Sequence, residues 1–261
     1  MKLGCSTLLF GGYDLDTALA GIAKAGYEAI ELASIPGMGM HFEPGRGDAY
    51  YREIRQKVAD AGLIIESTGI GGAFIKDGFE ALVKATAKLG APCITTSSGG
   101  ASGDEEYWTA LMRRMKCARV CARTYGVKLS FKPHVRGAVN NVASSRRFME
   151  ENDSEWVGLN IDNTHLQREG DDPVAAVKEL APWILTARIR DYKSEDFGIG
   201  PVENQIPGKG QSDVKAYYEA LCQVEGLEYA TVEMVGSKDF ELAEVQRVIE
   251  ETIAALKSYQ S

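Results

Sequence analysis

Cysteine is scarce and unpaired in this chain. The five residues Cys5, Cys93, Cys117, Cys121 and Cys222 are an odd set with no Cys-x-x-Cys spacing, which argues against both a disulfide framework and a zinc site. Cys117 and Cys121 lie four apart on one helical face and read as small packing residues rather than half a metal site. Basic tracts are also missing. Nothing exceeds the pairs Arg113–Arg114 and Arg146–Arg147, and the formal net charge is −8, so the field is wrong for gripping a phosphate backbone. Nucleic acid is therefore not an expected partner. No apolar run reaches the about 20 residues that span a bilayer, and Met1-Lys2-Leu3-Gly4-Cys5 leads into a strand without a charged region followed by an apolar one. A membrane is not an expected partner either, and the expected location is cytoplasmic. Linkers and low-complexity tracts are absent, so residues 1–261 read as one domain.

What the chain does contain is a recurring phrase: a helical stretch, a glycine, then a short run of β-branched and apolar residues. It appears as KAGYEAIEL (24–32), DAGLIIEST (60–68), KLGAPCITT (88–96), TYGVKLSFK (124–132) and VEGLEYATVE (224–233). Gly26, Gly62, Gly90, Gly126 and Gly226 fit the position just past a helix, where a left-handed backbone is needed. The phrases and the gaps between them predict strands near 2–7, 28–32, 63–68, 92–97, 127–132, 157–162, 184–190 and 229–234. Helical faces run through Trp108, Leu111, Met112, Met115 and Ala118, and through Leu242, Val245, Ile249, Ile253 and Leu256. Asp172-Pro173 predicts a helix start. Eight near-continuous apolar strands alternating with eight helices imply a parallel sheet covered on its outside. In a chain of this length they favour a single (β/α)8 TIM barrel of the α/β class over an open sheet.

In such a barrel the active site is built at the C-terminal ends of the strands. The ionisable residues predicted there are Lys132, Asp162, Arg188 and Glu233, two cations facing two carboxylates. His134 and His165 follow closely, and Glu31 and Glu66 end the second and third predicted strands near the same mouth. The glycine-rich segment GIGGAF (69–74) lacks the Lys-Ser/Thr of a phosphate-binding P-loop and the spacing of a dinucleotide fingerprint, and reads as a mobile loop over the mouth.

The segments GYEAIEL, GVKLSFKPH, VGLNIDNTHLQREGDDP, IPGKGQSDVKAYYEAL and ATVE together resemble the sugar-phosphate isomerase/epimerase group of xylose isomerase-like TIM barrels, over nearly the whole chain. Members of that group hold a divalent metal with Glu, Asp, His and Glu from four strand ends, and the two glutamates move a proton beside a substrate carbonyl. Carried over by position, Asp162 matches the family Asp, Glu233 the last Glu, and His165 a substrate-contacting His three residues after the Asp. The other two ligands do not match. Lys132-Pro133-His134 stands where the family has Glu-Pro-His, and Arg188-Ile189-Arg190-Asp191 stands where it has His-x-Lys-Asp. The family's set of three carboxylates, a neutral His and a divalent ion leaves one net negative charge, whereas the quartet here cancels. Neither an ammonium nor a guanidinium ligates a hard cation, so no cofactor is expected. Manganese or magnesium held through recruited ligands such as His134 or His165 is the alternative.

The reading that follows is a sugar or keto-sugar isomerase/epimerase acting on a small polyhydroxylated substrate by proton transfer next to a carbonyl. Glu233 is the expected base, with His165 or Asp162 as the second proton carrier. Lys132 and Arg188 supply the electrophilic field, and Arg188, His134, Glu31 and Glu66 are candidate substrate contacts. The alternatives are a lyase or dehydratase sharing the same intermediate, a Schiff-base enzyme using Lys132, and a non-catalytic carbohydrate-binding protein whose quartet is only an ion-pair network. The resemblance implies a homo-oligomer, since family members are often dimers or tetramers.

Overall fold

Eight parallel strands close on themselves in a computed structural model, which describes residues 1–75 and 78–260. They are β1 (Lys2–Ser6), β2 (Ala29–Ile35), β4 (Ile64–Gly69), β5 (Cys93–Ser97), β6 (Lys128–Lys132), β7 (Val157–Asp162), β8 (Ile184–Ile189) and β9 (Tyr229–Val232). Around the sheet the order is β1-β9-β8-β7-β6-β5-β4-β2, and the β1–β2 pairing completes the circle. β3 (Gly39–Met40) is a short antiparallel addition to β2 that the sequence pattern did not signal. The fold is thus the (β/α)8 barrel expected.

The helices between strands start and stop where side-chain chemistry dictates. Asp14 caps α1 (Leu15–Ala25) and Asp104 caps α4 (Glu105–Tyr125), each accepting a hydrogen bond from a first-turn amide. Asp172 caps α7 (Pro173–Leu180), with Pro173 in the first turn as expected. At the far ends Gly26 and Gly126 adopt φ of 89° and 68°, left-handed values that a Cβ would strain. The outer helices α2 (Asp48–Asp60), α3 (Phe79–Leu89), α5 (Val142–Glu151), α8 (Val214–Leu221) and α9 (Leu242–Ser258) complete the ring with one addition, the short α6 (Asn163–Arg168). On α9, Val245, Ile249, Ile253 and Leu256 are buried as the pattern requires, but Leu242, in the first turn, is exposed. Among the described residues no helix is long and apolar enough to cross a membrane.

The strands are less uniformly apolar than their composition suggested. On β7, Val157, Leu159 and Ile161 alternate with Gly158, Asn160 and Asp162; on β6, Leu129 and Phe131 alternate with Ser130 and Lys132. The apolar set packs into a core with helical residues such as Trp108, Met115 and Phe148. The polar set points inward. Hydrogen bonds join strands that are not neighbours, Thr95 to Glu31, Thr231 to Glu66, and Ser130 with Thr186, and such bonds must cross the interior. The barrel is therefore filled with polar side chains, and its hydrophobic core is the ring between sheet and helices.

Candidate active site

Four strand ends bring Lys132, Asp162, Arg188 and Glu233 together at the C-terminal mouth, but the pairing differs from a simple quartet. The Lys132 ammonium donates to both oxygens of Glu233, at 2.7 and 2.8 Å, and lies 3.4 Å from Asp162 Oδ2. Arg188 instead turns into the barrel: Nη2 pairs with Glu31, Nη1 with Glu66 at 3.1 Å, and Nε lies 3.3 Å from Glu233 Oε2. The guanidinium that faces Asp162 belongs to Arg190, whose Nη2 is 3.1 Å from Oδ2. The working cluster is thus three cations, Lys132, Arg188 and Arg190, among four carboxylates, Glu31, Glu66, Asp162 and Glu233.

Local structure explains how these groups are held. A register shift on β2 between Ile30 and Glu31 sets Glu31 beside Ser67, and Ser6 and Thr95 hydroxyls donate to its two oxygens at 2.9 and 2.6 Å. Asp162 ends β7 and also caps α6, accepting from the Thr164 amide (3.0 Å) and hydroxyl (2.8 Å). That capped turn aims His165 and Arg168 at the mouth. Asp191, one residue beyond Arg190, accepts four backbone N–H bonds, from Tyr192, Gly208, Gly210 and Ser212, at 2.8 to 3.0 Å. A Cβ on Gly210 would sit 2.2 Å from Asp191 Oδ1, so the Gly208-x-Gly210 segment serves this anchor.

Burial and charge pull the titrations in different directions. Burial opposes ionisation of Asp162, but the Arg190 guanidinium, with Lys132 and the Thr164 hydroxyl, holds its carboxyl well below the usual carboxylate range. Glu233 follows the same pattern, burial being outweighed by Lys132, Arg190 and Arg188, and it too is lowered. Glu66 goes the other way: burial pushes its carboxyl up despite Arg188. The surplus carboxylate of the cluster is felt there. For His165 burial dominates and drives the imidazole well below its usual value, so the ring is neutral at physiological pH. Its Nδ1 accepts the Val135 amide at 3.1 Å, and its Nε2 lies 3.3 Å from Arg190 Nη2 and 3.8 Å from Asp162 Oδ2.

A cavity of about 360 Å³ opens above the cluster, within the size range of small-molecule sites. Lys132, Glu233, His165, His134, Glu31 and Arg190 all line it. Three expected site residues do not. Arg188 is fully buried beneath it because its guanidinium is drawn inward by Glu31 and Glu66, so it cannot touch a substrate as expected. Asp162 has no exposed surface under Lys132 and Arg190 and so does not line the cavity. Glu66 sits deeper still and lines a separate cavity at the opposite end of the barrel, reached past Ile64 and Thr186. His134 stands at the rim, its ring 4.3 Å from that of His165. Gly69, Gly71 and Gly72 of the glycine-rich segment line the mouth, and residues 76–77 beyond it lie outside the described residues.

The sequence reading gave no role to Arg190, Arg168, Thr95 or Asn160. Arg190 had a signal, since it follows Arg188 by two and shares its face of the strand. Thr95 and Asn160 depend on which strands meet across the interior, and Arg168 on the short α6.

A divalent ion does not fit these residues. The Lys132 ammonium lies between the two carboxylates that could ligate one, and among the described residues no group of three or more His, Cys, Asp or Glu side chains converges on a common point.

Residues 19–259 match the xylose isomerase-like TIM barrel family, and the chain belongs to it. No curated protein sequence matches significantly. Among solved structures, D-psicose 3-epimerase in the presence of D-fructose superposes with a TM-score of 0.78 at 17% identity, covering 99% of each chain. L-ribulose 3-epimerase gives 0.77 at 17% identity, covering 99% of this chain and 95% of the other. The probable 3-DHS dehydratase AsbF of Bacillus anthracis gives 0.75 at 15% identity, covering 100% and 99%. At these identities the likeness is one of fold.

Proposed function

We propose that this protein is a sugar or keto-sugar isomerase or epimerase that moves a proton beside a carbonyl, with Lys132 in place of a metal. The observation that carries the reading is the Lys132–Glu233 contact at the floor of the cavity, a carboxylate and a fixed cation side by side where a substrate would rest. Glu233 takes the proton from the carbon next to the carbonyl, the electron pair of that C–H bond forms a carbon–carbon double bond, and the carbonyl π pair moves onto the oxygen. Protonation of Glu233 weakens its hold on Lys132, so ammonium N–H groups become free to stabilise the new oxyanion as it forms. Return of the proton to the former carbonyl carbon, with a proton passing from the adjacent hydroxyl to the oxyanion, isomerises; return to the opposite face of the original carbon, from a second donor, epimerises. Loss of a β-hydroxyl from the same intermediate would make the protein a dehydratase, the activity named for one of the similar structures.

A Schiff-base mechanism is less compatible with the site. Three carboxylate oxygens surround Lys132 Nζ, which leaves no lone pair directed at a carbonyl. A binding-only role is the remaining outcome of the test. Exchange of the substrate C–H proton in deuterated water, followed by NMR over a panel of ketoses, aldoses and their acids, should reveal turnover. Binding without exchange on any member would favour recognition alone.

Metal independence is part of this reading and is tested separately. Protein dialysed against a chelator should carry substoichiometric manganese, magnesium and zinc by elemental analysis, and added metal should leave the exchange rate unchanged. One retained equivalent that is lost in Glu233→Gln would overturn it.

A further inference from the structure

Of the cations on the cavity wall, Lys132 is matched by Glu233 and Arg190 by Asp162, while the wall carboxylate Glu31 is matched by Arg188 from below. Arg168 is the exception. Among the described residues no carboxylate lies within ion-pair distance of it, and its contacts are the Thr164 carbonyl at 3.0 Å, the Phe197 carbonyl at 3.4 Å and His165 Nδ1 at 3.4 Å. Two of those contacts are long, and His165 Nδ1 already accepts the Val135 amide, so among the described residues two of the five guanidinium N–H donors are unspent and two more are weakly used. Arg168 is nevertheless half-buried on the wall, and burial pulls its pKa below the usual value. Beside it, Arg190 is almost wholly buried, and among the described residues its Nη1 has no hydrogen-bond partner. The His165 ring lies between the two, with Arg168 Nη2 at Nδ1 and Arg190 Nη2 3.3 Å from Nε2. A desolvated, uncompensated guanidinium costs stability unless an anion completes it.

We propose that the substrate is a monoanion, a polyhydroxylated carbonyl compound bearing a carboxylate that Arg168 and Arg190 hold on this side of the cavity. With Arg168 the site holds four cations and four carboxylates, so a monoanion unbalances it less than a phosphate dianion would. A guanidinium fork also suits two planar oxygens. The carboxylate end fixes the register of the chain, so that the carbonyl at the other end falls against Lys132 and Glu233. The inference rests on the proposed sugar chemistry only for the nature of the substrate; the anion site itself does not depend on turnover.

The test is therefore binding, measured by calorimetry on the intact protein with glucuronate, glucose and glucose 6-phosphate as probes. Glucuronate should bind at least about ten-fold more tightly than glucose, with an affinity that falls as salt is raised. Arg168→Met should remove that preference while leaving the weak binding of glucose in place, and Arg168→Lys should restore part of it. Arg190→Met is a poorer probe because it also strips Asp162. Equal binding of acid and neutral sugar, or a preference that survives Arg168→Met, would overturn the proposal; tighter binding of glucose 6-phosphate than of glucuronate would overturn the carboxylate assignment. Failure of proton exchange with intact glucuronate binding would count against the proposed reaction and not against this site.

Discussion

Arg188→Met should be the most damaging single substitution in the molecule. The side chain is fully buried and is the shared partner of Glu31, Glu66 and Glu233, so its loss leaves Glu31 and Glu66, on neighbouring strands, with no counter-charge, while Glu233 keeps Lys132. Breaking a buried ion pair by removing one partner costs about 3–5 kcal/mol, on the order of 10 °C in Tm for a domain of this size. Urea denaturation followed by circular dichroism should show that loss, or the variant should fail to accumulate in soluble form. The Glu66→Gln background keeps the idea testable in either case. Glu66→Gln removes one of the two carboxylates that Arg188→Met leaves without a cation, so in combination it should recover part of what Arg188→Met loses. Its sign with pH is opposite to that of its neighbours: the raised Glu66 favours the fold below the ordinary carboxylate range and loses that contribution as pH rises through its folded value. A fully tolerated Arg188→Met would mean that the interior network contributes nothing.

Glu233→Gln should reduce substrate proton exchange by at least 10²-fold to 10³-fold, roughly the loss seen when one preorganised catalytic group is removed. The shape is kept and the base is lost. Lys132→Met should cost a similar factor in kcat while also freeing Glu233 from its main partner, which raises that carboxyl from its lowered position. The two variants then separate by pH profile. In the wild type the base is ionised down to pH values below the ordinary glutamate pKa of about 4.3, so the acid limb of kcat/KM should lie below that value; in Lys132→Met it should move upward. Exchange that survives unchanged in Glu233→Gln would remove this residue from the chemistry.

The barrel was legible in the sequence because helix-Gly-strand punctuation is local. Gly26, Gly90 and Gly126 declare helix ends without reference to anything distant, and the strand positions followed to within a few residues. The convergence of Lys132, Asp162 and Glu233 was legible for a related reason: in a closed parallel barrel, strand C-termini share one end. Partner choice was not legible. Whether Asp162 faces Arg188 or Arg190 depends on the direction of a long side chain, and Arg188 is drawn inward by Glu31 and Glu66, which lie 157 and 122 residues away in the chain. The same applies to Arg168, whose position above the mouth follows from α6, a helix of only six residues that composition does not distinguish from a loop.

The polar filling of the barrel also bears on how the protein responds to temperature. Unfolding most barrels exposes apolar side chains both inside and outside the sheet, and each square ångström of that surface raises the heat capacity of the chain. Polar surface lowers it, by about half as much per unit area. Here the inner wall, with Ser6, Glu31, Thr95, Ser130, Asn160, Thr186 and Thr231 among its buried residues, subtracts from what the outer ring contributes. The stability curve should accordingly be flatter than for an apolar-filled barrel of equal length, with cooling costing the fold less than it would cost a protein held together from the centre by hydrocarbon.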